Sequence, residues 1–251
     1  MNTRINRNFI TQTTSDNASL TSMTTAVHRF REPGDYRGVL HFKGSPVRSF
    51  RIGVAKAAPA AGDNPRLTKV EVNLRALHLA RGSAVEESRY ELETGGYAVF
   101  RVPAGTGGGY AVEVHRSESG EGPKVFDSRE LGVDDMLAVV VIRPGTYSIA
   151  STTEGNESRA ELTVTYPEKY LKPLDPVKLT CTKGRVSPDR VKVQPMQGLV
   201  FSFEGPTKLR VELTAPDDRP RTPPKTIVAH RRKKQSHRLA MVPRHAHPTA
   251  N

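Results

Sequence analysis

The sequence has no tryptophan and a single cysteine, Cys181. A lone cysteine excludes an internal disulfide framework and any metal site built from several cysteines. Long apolar runs are also missing. The longest, Met136 to Ile142, has seven residues, whereas a membrane-spanning helix needs about 20. We therefore expect no membrane span.

Large apolar side chains are scarce, because hydrophobic residues make up 36% of the 251 positions and aromatic residues 6%. Globular domains usually contain about 45–50% apolar residues, so part of the chain is predicted not to pack into a core. The first residues, Met1 to Arg7, lack the apolar stretch of a secretory signal. We expect a cytoplasmic protein or one associated with a virion or other assembly, unless a leader has been removed.

The excess of positive charge, formally +12, is concentrated at one end of the chain. Residues 219–251 hold nine Lys/Arg and no acidic residue, whereas residues 38–218 are nearly balanced. The same segment is rich in proline and poor in large apolar residues, which predicts a basic disordered tail. Residues 1–37 show no sustained periodicity, which predicts a flexible N-terminal arm.

Between the two ends, apolar residues recur at every second position, which is the pattern of half-buried strands. Val70 to Ala76 follows this pattern, although Leu74 to Arg81 also admits a short helix. Tyr97 to Val102 and Tyr110 to Val114 flank a glycine-rich turn, which predicts a hairpin. Further strands are predicted at Met136–Ile142, Tyr147–Ala150, Glu161–Tyr166, Val177–Thr182, Val191–Val193, Leu199–Phe203 and Leu209–Leu213.

A proline-rich segment divides this run of strands. Three prolines fall between Tyr166 and Pro176, and each restricts the backbone and removes a hydrogen-bond donor. We predict an all-β protein, with a Greek-key β-sandwich of the cupredoxin-like or immunoglobulin-like kind, a smaller β extension and disordered termini. The predicted boundaries are 1–37 for the arm, 38–166 for the sandwich, 167–176 for the linker, 177–218 for the small β module and 219–251 for the tail.

The segment from Phe126 to Val164 resembles the C-terminal half of a cupredoxin. The likeness rests on Phe126–Val133, the apolar strand to Ile142, the Pro-Gly-x-Tyr turn in Arg143–Tyr147, and Ala160–Val164, with a shorter echo at Val186–Phe203. The resemblance places the family's copper-binding cysteine at Ser151, and the following loop 152–159 offers neither His nor Met. Since blue copper needs a thiolate and two imidazoles, the resemblance implies a cupredoxin-like domain without its metal.

Several candidate sites have an ordinary structural interpretation. Gly105–Gly109 precedes a predicted strand, which favours a turn over a phosphate loop. Cys181 shares one face of its strand with Val177 and Leu179, which favours a small buried side chain over a reactive thiol or an intersubunit ligand. Adjacent acidic residues point to opposite sides of an extended chain, so we interpret three such pairs as solvated loop residues: Glu86-Glu87, Asp134-Asp135 and Asp217-Asp218.

The basic cluster in the tail is the strongest functional signal. Flexible cationic side chains neutralise phosphates without reading sequence, and no aromatic residue is interleaved to stack on bases. A solubilising or processed tail and adventitious Zn²⁺ or Cu²⁺ binding by its histidines are the alternatives. The predicted polyanion-binding residues are Arg231, Arg232, Lys233, Lys234, Arg238 and Arg244.

No catalytic motif is recognisable, so the sequence predicts no catalytic residues, no resident metal and no cofactor. The leading hypothesis is a non-enzymatic structural or assembly protein, such as a capsid component or scaffold. Its β-sandwich would self-associate or bind a protein partner, and its tail would contact nucleic acid or another polyanion without sequence specificity. The alternatives are a ligand-binding or adaptor subunit derived from a copper-less cupredoxin, and an enzyme whose site forms only between subunits.

Overall fold

The computed structural model describes residues 11–57, 68–80, 88–103, 107–117, 122–167, 174–183 and 185–218. These residues form strands and one short helix, which confirms the all-β class. No helix within these ranges is long and apolar enough to cross a membrane. The strands are Thr14–Asp16 (β1), Thr24–Arg29 (β2), Gly34–Phe42 (β3), Ser45–Ala55 (β4), Lys69–Asn73 (β5), Ser88–Glu93 (β6), Tyr97–Arg101 (β7), Tyr110–Arg116 (β8), Lys124–Asp127 (β9), Asp135–Val140 (β10), Gly145–Thr153 (β11), Asn156–Val164 (β12), Val177–Thr182 (β13), Arg185–Ser187 (β14), Arg190–Val193 (β15), Gly198–Phe203 (β16) and Lys208–Pro216 (β17), and the helix is Leu74–Leu79 (α1).

The strand predicted at Val70 to Ala76 ends sooner than expected. β5 stops at Asn73, whose side-chain oxygen accepts a hydrogen bond from the backbone N–H of Ala76 at 3.0 Å. Asn73 is therefore an N-cap, and α1 follows directly and buries Leu74 and Leu77. The helical alternative is confirmed over Leu74–Leu79, and Arg81, where the predicted helix ended, lies outside the described residues.

The strands are arranged in three sheets. The central sheet has seven strands in the order β14-β13-β16-β10-β2-β7-β5. The first flanking sheet has the order β6-β4-β3-β8-β9, and the second flanking sheet has the order β1-β17-β11-β12-β15. Each flanking sheet contains one parallel pair, β4 with β6 and β12 with β15.

The pairing pattern of β2 to β8 is repeated by β10 to β17. In the central sheet, β2 pairs antiparallel with β7, which pairs parallel with β5, and β10 pairs in the same way with β16 and β13. In the flanking sheets, β3 lies between β4 and β8, as β11 lies between β12 and β17. The described body therefore consists of two structural repeats, called repeat 1 (β2 to β8) and repeat 2 (β10 to β17).

Sequence landmarks recur at a constant spacing in the two repeats. Pro33–Tyr36 leads into β3, and Pro144–Tyr147 leads into β11. In each case the tyrosine hydroxyl donates a hydrogen bond to a backbone carbonyl four residues earlier, Glu32 at 2.8 Å and Arg143 at 2.7 Å. The following tight turns also correspond, because both residues of each have positive φ, as two-residue hairpin loops require: Lys43-Gly44 and Glu154-Gly155.

The strand that precedes each repeat lies in the flanking sheet of the other repeat. β1 precedes repeat 1 but pairs with β17, and β9 precedes repeat 2 but pairs with β8. Equivalent hydrogen bonds fix both strands: the side chain of Asn17 accepts from the backbone N–H of Leu209 at 2.7 Å, and that of Ser128 accepts from Val112 at 2.9 Å. The repeats are thus interlocked by a mutual exchange of strands.

The repeats meet where β2 pairs with β10. Ala26 and Leu137 occupy equivalent positions and lie directly opposite each other, so a pseudo-two-fold axis passes between them. Both are fully buried, as are Phe100 and Phe201 in the same row of the sheet. The first flanking sheet packs on this inner face, where the ring of Phe126 stacks on Phe100 at 5.0 Å. By the pseudo-symmetry, the second flanking sheet covers the other half of the same face.

The predicted hairpin of Tyr97 to Val102 with Tyr110 to Val114 is wrong. Both segments are strands, but β7 lies in the central sheet and β8 in the first flanking sheet. The chain between them therefore crosses from one sheet to another. Alternation identifies the face that a strand buries, but it does not identify the neighbouring strand.

Strand pairing also crosses the predicted domain boundaries. Within residues 177–218, β13 and β16 belong to the central sheet with β10, and β17 pairs with β11. Within residues 1–37, β1, β2 and the start of β3 belong to the sheets. The sequence did not indicate this because some of the buried residues there are polar, such as Thr24 and His28. Of the predicted linker 167–176, only residues 167 and 174–176 are described, and the tail 219–251 lies outside the described residues.

Candidate functional site

A buried pair of ionisable side chains lies at the junction of the two repeats. His28 on β2 and Asp135 on β10 are direct neighbours across the strand pair, with His28 Nδ1 2.6 Å from Asp135 Oδ1. His28 is 7% exposed and Asp135 is 5% exposed. The other carboxylate oxygen of Asp135 accepts a hydrogen bond from the backbone N–H of Gly132 at 2.7 Å. The carboxyl group is therefore held from two sides.

The environment of Asp135 has opposing effects on its pKa. Burial raises the pKa of the carboxyl group, while the hydrogen bonds from His28 and Gly132 favour the ionised form and lower it; the net direction is upward. A carboxyl group beside Nδ1 also fixes the orientation of an imidazole ring and the nitrogen that carries the proton. Among the described residues, the second ring nitrogen of His28 has no hydrogen-bond partner.

A cleft of about 410 Å³ opens beside this pair. Its apolar lining includes the buried Phe30 and Tyr36, together with Pro123, Val125 and the exposed Val133. Since these residues come from β2, β3, β9 and the loops beside them, the cleft lies between the central sheet and the first flanking sheet.

Two ion pairs border the cleft. Arg31 Nη2 is 2.5 Å from Asp134 Oδ1, and Arg116 pairs with Glu32. Arg31 is well exposed, with 62% of its side chain accessible, whereas Asp134 is 18% accessible. Ion pairs at such exposed positions add little to stability.

The lining of the cleft combines apolar side chains with charged and hydrogen-bonding groups. Among the residues that the structure describes, its lining contains no serine, threonine, cysteine or lysine. The hydroxyl of Tyr36 already donates to the carbonyl of Glu32. Among the described residues of the lining, His28 therefore has no serine, threonine or cysteine beside it to activate.

A second surface feature is the outer face of the central sheet. Solvated faces of antiparallel sheets are usually polar, but here partly exposed apolar residues of neighbouring strands form a continuous area. Pairing in register joins Met136 to Val27 and Val27 to Val99 in one row, and Val200 to Ala138 in the next. We call this area the apolar outer face: Val27, Val99, Met136, Ala138 and Val200.

Cys181 is the buried side chain that the sequence predicted, with 2% exposure. Burial raises the pKa of its thiol to about 11, although the neighbouring Ser151 hydroxyl favours the thiolate. Ser151, the position that the cupredoxin resemblance gives to a cysteine, is itself fully buried. Among the described residues, no group of three or more His, Cys, Asp or Glu side chains is arranged to hold a metal ion.

The interpretation of Asp134-Asp135 as solvated is wrong for Asp135. β10 begins at Asp135, and the side chain of Asp135 is buried against His28. Asp218 is exposed and pairs with Arg143. Part of the predicted glycine turn and all of Glu86-Glu87 lie outside the described residues, as do the predicted polyanion-binding residues Arg231, Arg232, Lys233, Lys234, Arg238 and Arg244.

Sequence reasoning missed the cleft because it missed the repeat. Aligning the two Pro-Gly-x-Tyr turns places His28 opposite Val139 and Asp135 opposite Thr24. That alignment would have marked a histidine and an aspartate at positions that face a core. Comparisons with known proteins give no matching family model, no matching curated protein and no matching solved structure.

Proposed function

We propose that this protein is a non-enzymatic structural or assembly protein. Its two-repeat body associates with further copies through the apolar outer face, and its basic C-terminal segment contacts a polyanion or a neighbouring subunit. The observation that supports the proposal is the apolar outer face, whose partly exposed side chains are neighbours in register. Contiguous apolar surface is a mark of protein interaction sites.

A second copy of the chain is the occupant that this face favours. Val99 and Val200 are equivalent residues of the two repeats, and so are Val27 and Ala138. The face is therefore pseudo-symmetric about the axis between β2 and β10. Two-fold association between copies uses the same patch on both partners, and this face offers equivalent apolar pairs in its two halves, Val99 with Val27 and Val200 with Ala138.

The test of self-association is a single charged substitution. Val99→Lys places a cation within the proposed interface, and Val47→Lys places one at an exposed valine of β4 as the matched control. We expect light scattering to give a multiple of the chain mass for the wild type and for Val47→Lys, and the mass of one chain for Val99→Lys. A monomeric wild type, or a Val99→Lys protein that assembles like the wild type, would contradict the proposal.

The basic segment supports the polyanion part of the proposal through its charge alone. Replacing Arg231, Arg232, Lys233 and Lys234 with Gln removes four of its nine cations. We expect the slope of log K against log salt for single-stranded RNA to become shallower by about 3, since each phosphate contact contributes about 0.7. The matched control neutralises four exposed cations of the body, Arg75, Lys178, Arg185 and Lys192. Equal slopes for the two variants would remove the tail from the proposal.

The finer fold assignment is also a proposal. We infer that each repeat is a Greek-key β-sandwich of the cupredoxin-like or immunoglobulin-like kind. The support is that consecutive strands of repeat 1 change sheets, from the central sheet (β2) to the first flanking sheet (β3 and β4) and back (β5). An experimental structure whose two repeats superpose on cupredoxins strand for strand would decide in favour of the first kind.

A further inference from the structure

The junction of the repeats contains two pseudo-symmetric positions, of which only one carries the buried ionisable pair. At the other position Val139 takes the place of His28, and Thr24 takes the place of Asp135. Val139 and Thr24 are also direct neighbours across β10 and β2, and both are buried. The β2–β10 strand pair thus contains two equivalent cross-strand pairs of buried side chains, one ionisable and one not.

Among the described residues, those that line the two positions also differ in charge, with charged residues only around the ionisable pair. Ile142 stands where the cleft has Arg31, and Met23 stands where it has Asp134. The counterpart is lined by these and other residues, and its free volume is about 10 Å³, against about 410 Å³ for the cleft. One member of the symmetric pair is therefore filled and lined by uncharged residues, and the other is open and lined by several charged ones.

The filled counterpart shows that the fold does not require an ionisable pair at the junction of the repeats. Burying a hydrogen-bonded ionisable pair costs desolvation free energy, and apolar replacements of similar volume are often neutral or stabilising. Val139 and Thr24 close the junction without such a pair. The structural role of the position therefore does not account for His28 and Asp135, and ionisable groups beside a cleft are candidates for function.

We propose that the cleft binds a small organic anion with an apolar body. The accessible side chains of Pro123, Val125 and Val133 offer contact to the apolar part. The guanidinium of Arg31 offers donors to the acid group. The His28 ring, when it is protonated on both nitrogens, donates one N–H to Asp135 and offers the other to the ligand. This site is independent of the apolar outer face, because His28 and Val27 are consecutive residues of β2 and point to opposite faces of the central sheet.

The ion pair at the edge of the cleft prepares Arg31 for this role. A guanidinium has five N–H donors in a rigid planar arrangement that matches carboxylate, sulfonate and phosphate oxygens. One of the terminal nitrogens of Arg31 is used by Asp134 at 2.5 Å, which restrains the side chain while leaving other donors for a ligand. The 62% exposure of the side chain keeps those donors accessible.

Two dyes with the same apolar body and different charge test the proposal on the full chain. 1-Anilinonaphthalene-8-sulfonate is the anion, and N-phenyl-1-naphthylamine is its neutral analogue; both are titrated by fluorescence. We expect the anionic dye to bind roughly tenfold more tightly than the neutral one. Arg31→Gln should weaken the anionic dye about tenfold and leave the neutral dye unchanged. Arg159→Gln, at another exposed arginine paired with an acid, is the matched control.

Two further variants locate the bound dye. His28→Val with Asp135→Thr copies the filled counterpart and should weaken the anionic dye by about the same factor as Arg31→Gln. Val99→Lys alters only the apolar outer face and should leave the affinity unchanged. The proposal is overturned if the two dyes bind wild-type protein equally, if Arg31→Gln has no effect, or if Val99→Lys abolishes binding. A monomeric protein with a functional cleft would instead remove only the assembly proposal.

Discussion

Gly38 on β3 lies against the ring of Phe50 on β4 so closely that a Cβ atom at position 38 would be 2.1 Å from it. The two residues pair directly in register, and the equivalent pair in repeat 2 is Ile149 with Ala160. Each repeat thus fills this part of its core with one large and one small residue, but the large residue is on opposite strands.

We expect Gly38→Ala to lower the free energy of unfolding by about 1–3 kcal/mol, because Phe50 is fully buried and overpacking of this kind forces side chains off their preferred rotamers. The double variant Gly38→Ile with Phe50→Ala copies repeat 2 and should be more stable than Gly38→Ile alone. Urea unfolding measures both effects. Gly205→Ala, where the added methyl meets open space, is the control, and an equal loss there would contradict the packing explanation.

His28→Val is expected to destabilise the protein by about 3–5 kcal/mol, because it leaves the carboxyl group of Asp135 buried without its partner. Adding Asp135→Thr copies the filled counterpart and should recover most of that loss. With the second single variant, Asp135→Thr, chemical denaturation completes a double-mutant cycle, and the departure from additivity gives the interaction free energy. A single variant as stable as the double one would mean that the pair is not coupled in the folded protein.

Alternation predicted most strands of repeat 2 well, since residues such as Leu199 and Phe201 are large and apolar. It failed at β2, where the buried residues include Thr24 and His28 and the pattern of large apolar side chains disappears. The turns at Lys43-Gly44 and Glu154-Gly155 are landmarks that recur in the sequence. Composition and periodicity describe one segment at a time, so they do not relate two distant turns. A search for internal repeats would have related the two turns to each other.

The candidate site could not be predicted from patterns of single strands. Its two ionisable residues, His28 and Asp135, come together only because β2 and β10 pair, and strand alternation does not specify that pairing. The repeat itself is obscured because equivalent core positions have diverged in size and polarity. Gly38 and Ile149 are the clearest case, since the change is compensated across the strand pair rather than at one position.

The attachment of each exchanged strand, β1 and β9, should depend on one side-chain hydrogen bond, and the two bonds should contribute similar amounts to stability. Asn17→Ala removes the acceptor for the N–H of the buried Leu209, and Ser128→Ala removes the acceptor for Val112. Each should lower the free energy of unfolding by about 1–3 kcal/mol, the penalty for a buried donor without a partner. Asn17→Ser, which introduces the residue found in the other repeat, should lose less than Asn17→Ala. A neutral result for either alanine variant would show that its strand is not held by this bond.

The buried thiol gives a prediction for alkaline pH. Since the pKa of Cys181 is raised from 9.0 to about 11, the folded state favours the protonated thiol. Its contribution to stability is complete below pH 9 and is lost as the pH rises towards 11. The full difference corresponds to about 3 kcal/mol. Other groups titrate in the same range, so the measurement compares wild type with Cys181→Ala. We expect the wild type to lose more stability than the variant between pH 9 and pH 11, and parallel curves would mean that the thiol titrates as freely in the folded protein as in the unfolded one.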